Sequence, residues 1–81
     1  KKFDVLIGVG AVIRGETYHF EIVSDQSANG LLQLQLNYHI PIINAIITTN
    51  SSDEAFARTK LKGEEAALGA IEMAELVKKY D

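Results

Sequence analysis

The chain has 81 residues, 47% of them hydrophobic and 23% charged, with a formal net charge of −3 and no cysteine. That composition predicts one soluble globular unit. It excludes disorder, a disulfide framework and a transmembrane helix, because no uninterrupted apolar run is long enough to cross a bilayer. With 8 Lys+Arg against 11 Asp+Glu it also excludes a protein that tracks nucleic acid, which needs a positive face along the phosphates.

The unit is small for an independent core. A domain of this size buries little more than roughly 60% of its unfolded surface, and neither cysteine nor an evident metal site staples it. Self-association, or further chain, is therefore expected. The sequence lacks an initiator Met and opens almost directly on a strand. Asp4, the glycines and Arg14 break up the apolar run after Lys1-Lys2, so it does not resemble a signal peptide. These features read as a single domain, residues 1–81, that is a fragment of a longer protein, and the lack of cysteine fits a reducing cytoplasmic setting without excluding other compartments.

Phe3 to Ile13 is rich in Val and Ile without clean alternation, the pattern of a strand buried on both faces of a parallel sheet. Gly8-Val-Gly10 lacks the third glycine of a dinucleotide fingerprint, and the strand runs on past it, so these glycines read as sites of close packing or ligand approach. Arg14-Gly15-Glu16-Thr17 is a turn leading into a helix from Thr17 or Tyr18 to about Asn37, with Glu16 in its first turn. Phe20, Val23, Ser27, Leu31 and Leu34 form its apolar stripe, widened by Ala28 and Leu32.

Pro41 to Thr48 reads as a second buried strand with the proline at its first position. Strand, helix and strand then make a right-handed parallel crossover. Thr49 to Asp53 is a loop of capping residues before a short helix near Glu54 to Arg58. After Thr59-Lys60-Leu61-Lys62-Gly63 a last helix is expected from Glu64 to about Tyr80, burying Ala67, Ala70, Ile71, Ala74 and Val77. The fold class is α/β, in the order β-α-β-α-α. Two interior-type strands cannot cover themselves, so more strands are expected from outside these residues.

In open parallel sheets ligands bind beyond the carboxyl ends of the strands. Gly15 to His19 occupies that place. Free N–H groups and the helix dipole there suit an anion, although a helix start without a ligand is the commoner case. Thr17 reads as a cap that also reaches a bound phosphate. His19 is either an ordinary surface histidine or a proton-transfer group facing the same crevice; His39, beside Pro41, reads as structural or exposed. Arg58, Lys60 and Lys62 form the one concentrated cation group away from the termini, either solvated or part of a site.

The run Gly10-Ala-Val-Ile-Arg-Gly-Glu-Thr-Tyr-His-Phe20 closely resembles the signature of the 6,7-dimethyl-8-ribityllumazine synthase family. The resemblance continues through Pro41, Thr48-Thr49, Glu54-Ala55, Arg58, Lys62-Gly63, Glu65-Ala66-Ala67 and Ala70-Ile71-Glu72-Met73-Ala74, in the family's order. It implies a flavodoxin-like three-layer α/β/α sandwich. It also implies a transferase of riboflavin biosynthesis that condenses 5-amino-6-(D-ribitylamino)uracil with 3,4-dihydroxy-2-butanone 4-phosphate, losing phosphate and water, with no cofactor and no metal. By position, His19 would be the general acid/base. Gly15, Glu16 and Thr17 would hold the phosphate through backbone N–H groups, and Val12 and Ile13 would line the pyrimidine and ribityl site. Arg58 would reach the same phosphate from the adjacent subunit, assisted by Lys62, with Glu65 near the histidine. The partners implied are small-molecule substrates and further copies of the chain, as homo-oligomeric pentamers or sixty-subunit icosahedral shells.

Some departures from the family bear on the site. Its amino-terminal half supplies an aromatic residue that stacks on the pyrimidine and a segment that binds the ribityl chain, and neither is among these residues. Asn44 stands where the family often has an aromatic residue, which would make that wall of the pocket more polar. The segment between Arg58 and Lys62-Gly63 is shorter than usual, leaving the assignment between Lys60 and Lys62 open. Two other functions fit the same pattern: a non-catalytic shell or interaction protein of this fold, and an archaeal-type riboflavin synthase acting on two lumazines. Retention of His19, Arg58 and Lys62 disfavours the former, and the phosphate-binding set disfavours the latter.

Overall fold

The computed structural model describes residues 3–80. Strand β1 (Leu6–Ile13) leads through a turn to helix α1 (His19–Tyr38), strand β2 (Ile42–Thr49) and helix α2 (Ser52–Tyr80). The strands pair in parallel from Leu6↔Ile42 to Ile13↔Thr49. Because side chains alternate across a strand, this register divides the sheet into two faces. A Cβ placed on Gly8 would lie 3.0 Å from Leu31 of α1, and one on Gly69 of α2 would lie 3.7 Å from Ile43. Gly8 and Asn44 therefore face α1, while Ile43 and Ala45 face α2, with one helix on each side of the sheet.

The inner face of α1 runs through Phe20, Val23, Ser27, Leu31 and Gln35, all half-buried. This is the expected stripe except that Ala28 and Leu32, expected to widen it, are exposed, and that at its end Leu34 is exposed and Gln35 turns inward to accept the N–H of Ile42 on its side-chain oxygen at 2.8 Å. That bond satisfies the first donor of β2. The helix stops at His39, which adopts a left-handed conformation (φ 55°) and donates its N–H to Gln35 O at 2.9 Å. Pro41 is buried and its carbonyl accepts the N–H of Leu6 at 3.1 Å, which aligns the starts of the two strands.

Three expectations change. The two carboxy-terminal helices are one, so the order is β-α-β-α, with α2 running unbroken through Gly63. A single glycine costs a helix roughly 1 kcal/mol, and twenty-eight other residues anchored at both ends outweigh it. Continuity also resets the buried face, which carries Ala55, Lys62, Ala66, Met73 and Val77. Ala67 and Ile71 fall outside it, Ile71 being 59% exposed. The third change is in β1: its sequence suits a strand covered on both sides, yet Val9 is 82% exposed. The α2 side of β1 is open because α2 packs mainly over β2, leaving an apolar hollow of about 510 Å³ between Ile7, Val9, Ala11 and Ala66. Among the described residues, no helix is long and apolar enough to cross a membrane.

Candidate active site

Both strands end at the same edge of the sheet, and the chain leaves that edge twice: at Arg14 into α1 and at Asn50 into α2. The second exit is close to a capping box, with the acid's bond shifted one residue upstream of the cap. Ser51 Oγ accepts the N–H of Glu54 at 3.2 Å, and the Glu54 carboxylate reaches back to the N–H of Asn50 at 3.3 Å. Thr49, buried at the strand end, donates its hydroxyl to Ser51 O at 2.8 Å.

The first exit is less regular. Helix α1 begins at His19 rather than at Thr17, so Glu16 lies in the turn before the helix and Glu21 is the acid in its first turn. Tyr18 holds the cap position with no side-chain hydrogen bond. Thr17 gives a partial cap, its Oγ1 accepting the N–H of His19 at 3.3 Å. Among the described residues, no turn or cap bond uses the N–H groups of Gly15, Glu16 or Thr17. These donors and the positive end of α1 lie together in an exposed stretch, and His19 opens the helix beside them. Val12 and Ile13 end β1 immediately before the turn, on opposite faces of the sheet.

The remaining candidates sit elsewhere. Arg58 and Lys62 are one helical turn apart on α2 and line a hollow of about 190 Å³ with Ile46, Ile47 and Thr48. Continuity of α2 is what puts both cations on that hollow. Lys60 points away from it, exposed, which favours Lys62 as the partner of Arg58. Glu65 is exposed on α2 next to buried Ala66. Asn44 pairs in register with Gly8, and its Oδ1 accepts the N–H of Ile46 at 2.9 Å, satisfying a donor on its own strand. Neither the hollow at Arg58 nor the larger one under α2 is lined by a residue of Gly15 to His19. Within one chain, the turn and the cations are separate groups.

Arg14 joins the two exits. Its backbone N–H donates to Thr49 O at 2.8 Å, its Nε donates to Asn50 Oδ1 at 2.8 Å, and its Nη1 donates to the Glu21 carboxylate. The guanidinium also lies over the Phe20 ring, 4.3 Å from its centroid. The hydrogen bond from Arg14 holds the Glu21 carboxyl below its ordinary pKa, with a bond from the backbone and the arginine's charge acting in the same direction. Neither residue stands out in sequence. The nearest signal is a cation directly after a strand with an acid two helical turns on.

A parallel strand–helix–strand unit with helices on both faces, and an open N–H turn where the first strand ends, defines an α/β protein of flavodoxin-like type. The family model described as 6,7-dimethyl-8-ribityllumazine synthase matches residues 1–78, and the chain belongs to that family. Relatives carrying that name include a protein of Nitrosospira multiformis, 61% identical over 99% of this chain and 50% of its own length. One of Nitrosomonas europaea is 56% identical over 99% and 49%, and one of Cupriavidus necator is 48% identical over 99% and 48%. The chain thus spans about half the length of the curated relatives it matches.

Proposed function

We propose that the protein carrying this chain is a lumazine synthase, which condenses 5-amino-6-(D-ribitylamino)uracil with 3,4-dihydroxy-2-butanone 4-phosphate to form 6,7-dimethyl-8-ribityllumazine. The observation that carries this reading is the contiguity of Val12 to His19 at the carboxyl end of β1, in a chain of this family. Val12 and Ile13 form the wall for the pyrimidine and ribityl groups. The N–H groups of Gly15, Glu16 and Thr17 receive the phosphate, and His19 moves protons during imine formation and phosphate elimination. Donors aimed at the phosphate stabilise the charge that grows on it as it leaves, and holding two substrates together supplies much of the remaining rate.

Arg58, with Lys62, supplies positive charge to the phosphate bound at the turn of a neighbouring copy, and Glu65 lies near that copy's histidine. This division is supported by the separation of the two groups within one chain. Asn44 contributes a polar wall to the shared pocket. The chain acts as part of one domain of a cytoplasmic homo-oligomer, a pentamer or a larger shell, using no metal or organic cofactor.

The test is to incubate the intact protein with both substrates and follow lumazine absorbance. His19→Ala is expected to slow turnover by about 10²–10⁴-fold, the usual contribution of a positioned acid/base. Arg58→Ala is expected chiefly to raise KM for the butanone phosphate. No lumazine from the intact, assembled protein would refute the reading.

A further inference from the structure

Arg14 touches neither proposed substrate group, yet its side chain bears on the whole of the turn that does. The ladder between the strands ends at Ile13↔Thr49, and Val12 and Ile13 are held by it. The turn that follows lacks that support, its local bonds being the long one from His19 N–H to Thr17 Oγ1 and the first helical one, Ile22 N–H to Tyr18 O at 3.3 Å. Arg14 begins this segment and binds its far side, through the Glu21 carboxylate and the face of Phe20. Residues 14 to 21 are thereby closed into a loop. Through Nε the same guanidinium is fixed to Asn50, which Glu54 in turn holds from α2. A line of polar contacts, Glu21–Arg14–Asn50–Glu54, thus ties the first turn of α1 to the first turn of α2 across the sheet's carboxyl edge.

The pairing also decides what Arg14 does not do. Its charge is opposed by Glu21, and two of its nitrogens are engaged within the chain. A guanidinium held this way is a poor free ligand for a phosphate but a rigid planar brace.

We propose that Arg14 is a positioning residue: by clamping Asn50, Phe20 and Glu21 it fixes the Gly15–Thr17 turn in the conformation that receives the phosphorylated substrate. This rests on the lumazine synthase reading. The clamp is partly exposed, Arg14 and Glu21 side chains being 46% and 31% accessible, so its effect is modest. Arg14→Gln, Glu21→Gln and Asn50→Ala should each raise KM for the butanone phosphate about 3–10-fold. KM for the pyrimidine should stay within roughly twofold, because its wall is held by the strand ladder. Arg14→Lys, with a point charge in place of a fork, should recover only part of the loss.

Glu21→Gln is the decisive variant. Removing that carboxylate frees the guanidinium, so a direct phosphate ligand would bind substrate more tightly, whereas a brace binds it less tightly. The double variant Arg14→Gln, Glu21→Gln should be no worse than Arg14→Gln alone. A readout independent of activity is a crystal structure of the Glu21→Gln protein without substrate, in which B-factors of residues 15–18 should rise to roughly three times those of β1. If the unsubstituted protein makes no lumazine, the functional reading fails and the crystallographic comparison still judges the clamp. A lower or unchanged KM for the phosphorylated substrate in Glu21→Gln, or an equally ordered turn in that variant, would overturn the proposal.

Discussion

Gly63→Ala tests the continuity of α2, on which the pairing of Arg58 with Lys62 depends. In the structure Gly63 lies inside the helix, its φ is not positive, and a Cβ placed on it would meet nothing within 4 Å. Alanine there should stabilise by about 0.5–1 kcal/mol, since it restricts the unfolded chain and suits the helix. Each kcal/mol moves Tm by about 4–8 °C in a domain of 60–100 residues and by about 2–4 °C in one of 150–250, so the expected rise is about 1–8 °C. If the chain instead broke at Gly63, the glycine would sit past a helix end in a left-handed conformation, and alanine would lower Tm by a similar amount. The sign therefore separates the two structures. Thermal unfolding followed by far-UV circular dichroism measures it, with Gly30→Ala, another helix-interior glycine with open space around its Cβ, as the reference. A fall in Tm for Gly63→Ala beside a rise for Gly30→Ala would refute the continuous helix.

Two further outcomes follow from the packing and the clamp. Gly8→Ala carries a steric cost, because its Cβ would stand 3.0 Å and 3.2 Å from the two methyl groups of Leu31, which must give by a few tenths of an ångström. Denaturant midpoints should show that cost shrinking in a Leu31→Ala background, and equal costs in both backgrounds would refute the contact. The Glu21 carboxyl, held below its ordinary value of 4.5 chiefly by the bond from Arg14, gives a pH dependence of definite sign. Its folded pKa is depressed, so its contribution is present above the ordinary value and lost as pH falls through the folded one. Stability of the unsubstituted protein should drop more steeply below about pH 4.5 than that of Glu21→Gln, as read from unfolding midpoints over that range.

Periodicity carried most of the fold. The β-branched runs, the stripe of Phe20, Val23, Ser27 and Leu31, and the proline between helix and strand are local signals, and β1, α1 and β2 fall within a few residues of where those signals put them. It failed where local and long-range preferences disagree. Thr59 to Gly63 looks like a break when read alone, but Ala55 is buried against the sheet on one side of it and Ala66 on the other. They are eleven residues apart, three turns of an unbroken helix, and that spacing fixes the inner face at Ala66 rather than Ala67. The exposure of Val9 has a similar origin, because a strand's composition records the cover it is suited to, and two helices over two strands leave part of β1 open.

The candidate site divides along the same line. Gly15 to His19 is legible because its parts are consecutive, a turn glycine, unpaired donors and a helix start carrying a histidine. Arg14 is not, since its partners stand 7 and 36 residues away and only the packing of both exits brings them to one guanidinium. That pairing has an electrostatic consequence for the proposed reaction. With Arg14 committed to Glu21, the N–H groups of Gly15, Glu16 and Thr17 offer a phosphate neutral donors and a helix dipole, which is worth a fraction of a full charge. A dianionic leaving group needs more than that, and in the proposed reading the paired cations at Arg58 and Lys62 supply it. They line a hollow with Ile46, Ile47 and Thr48, apart from their own turn, which is why a second copy delivers them in the proposed reading.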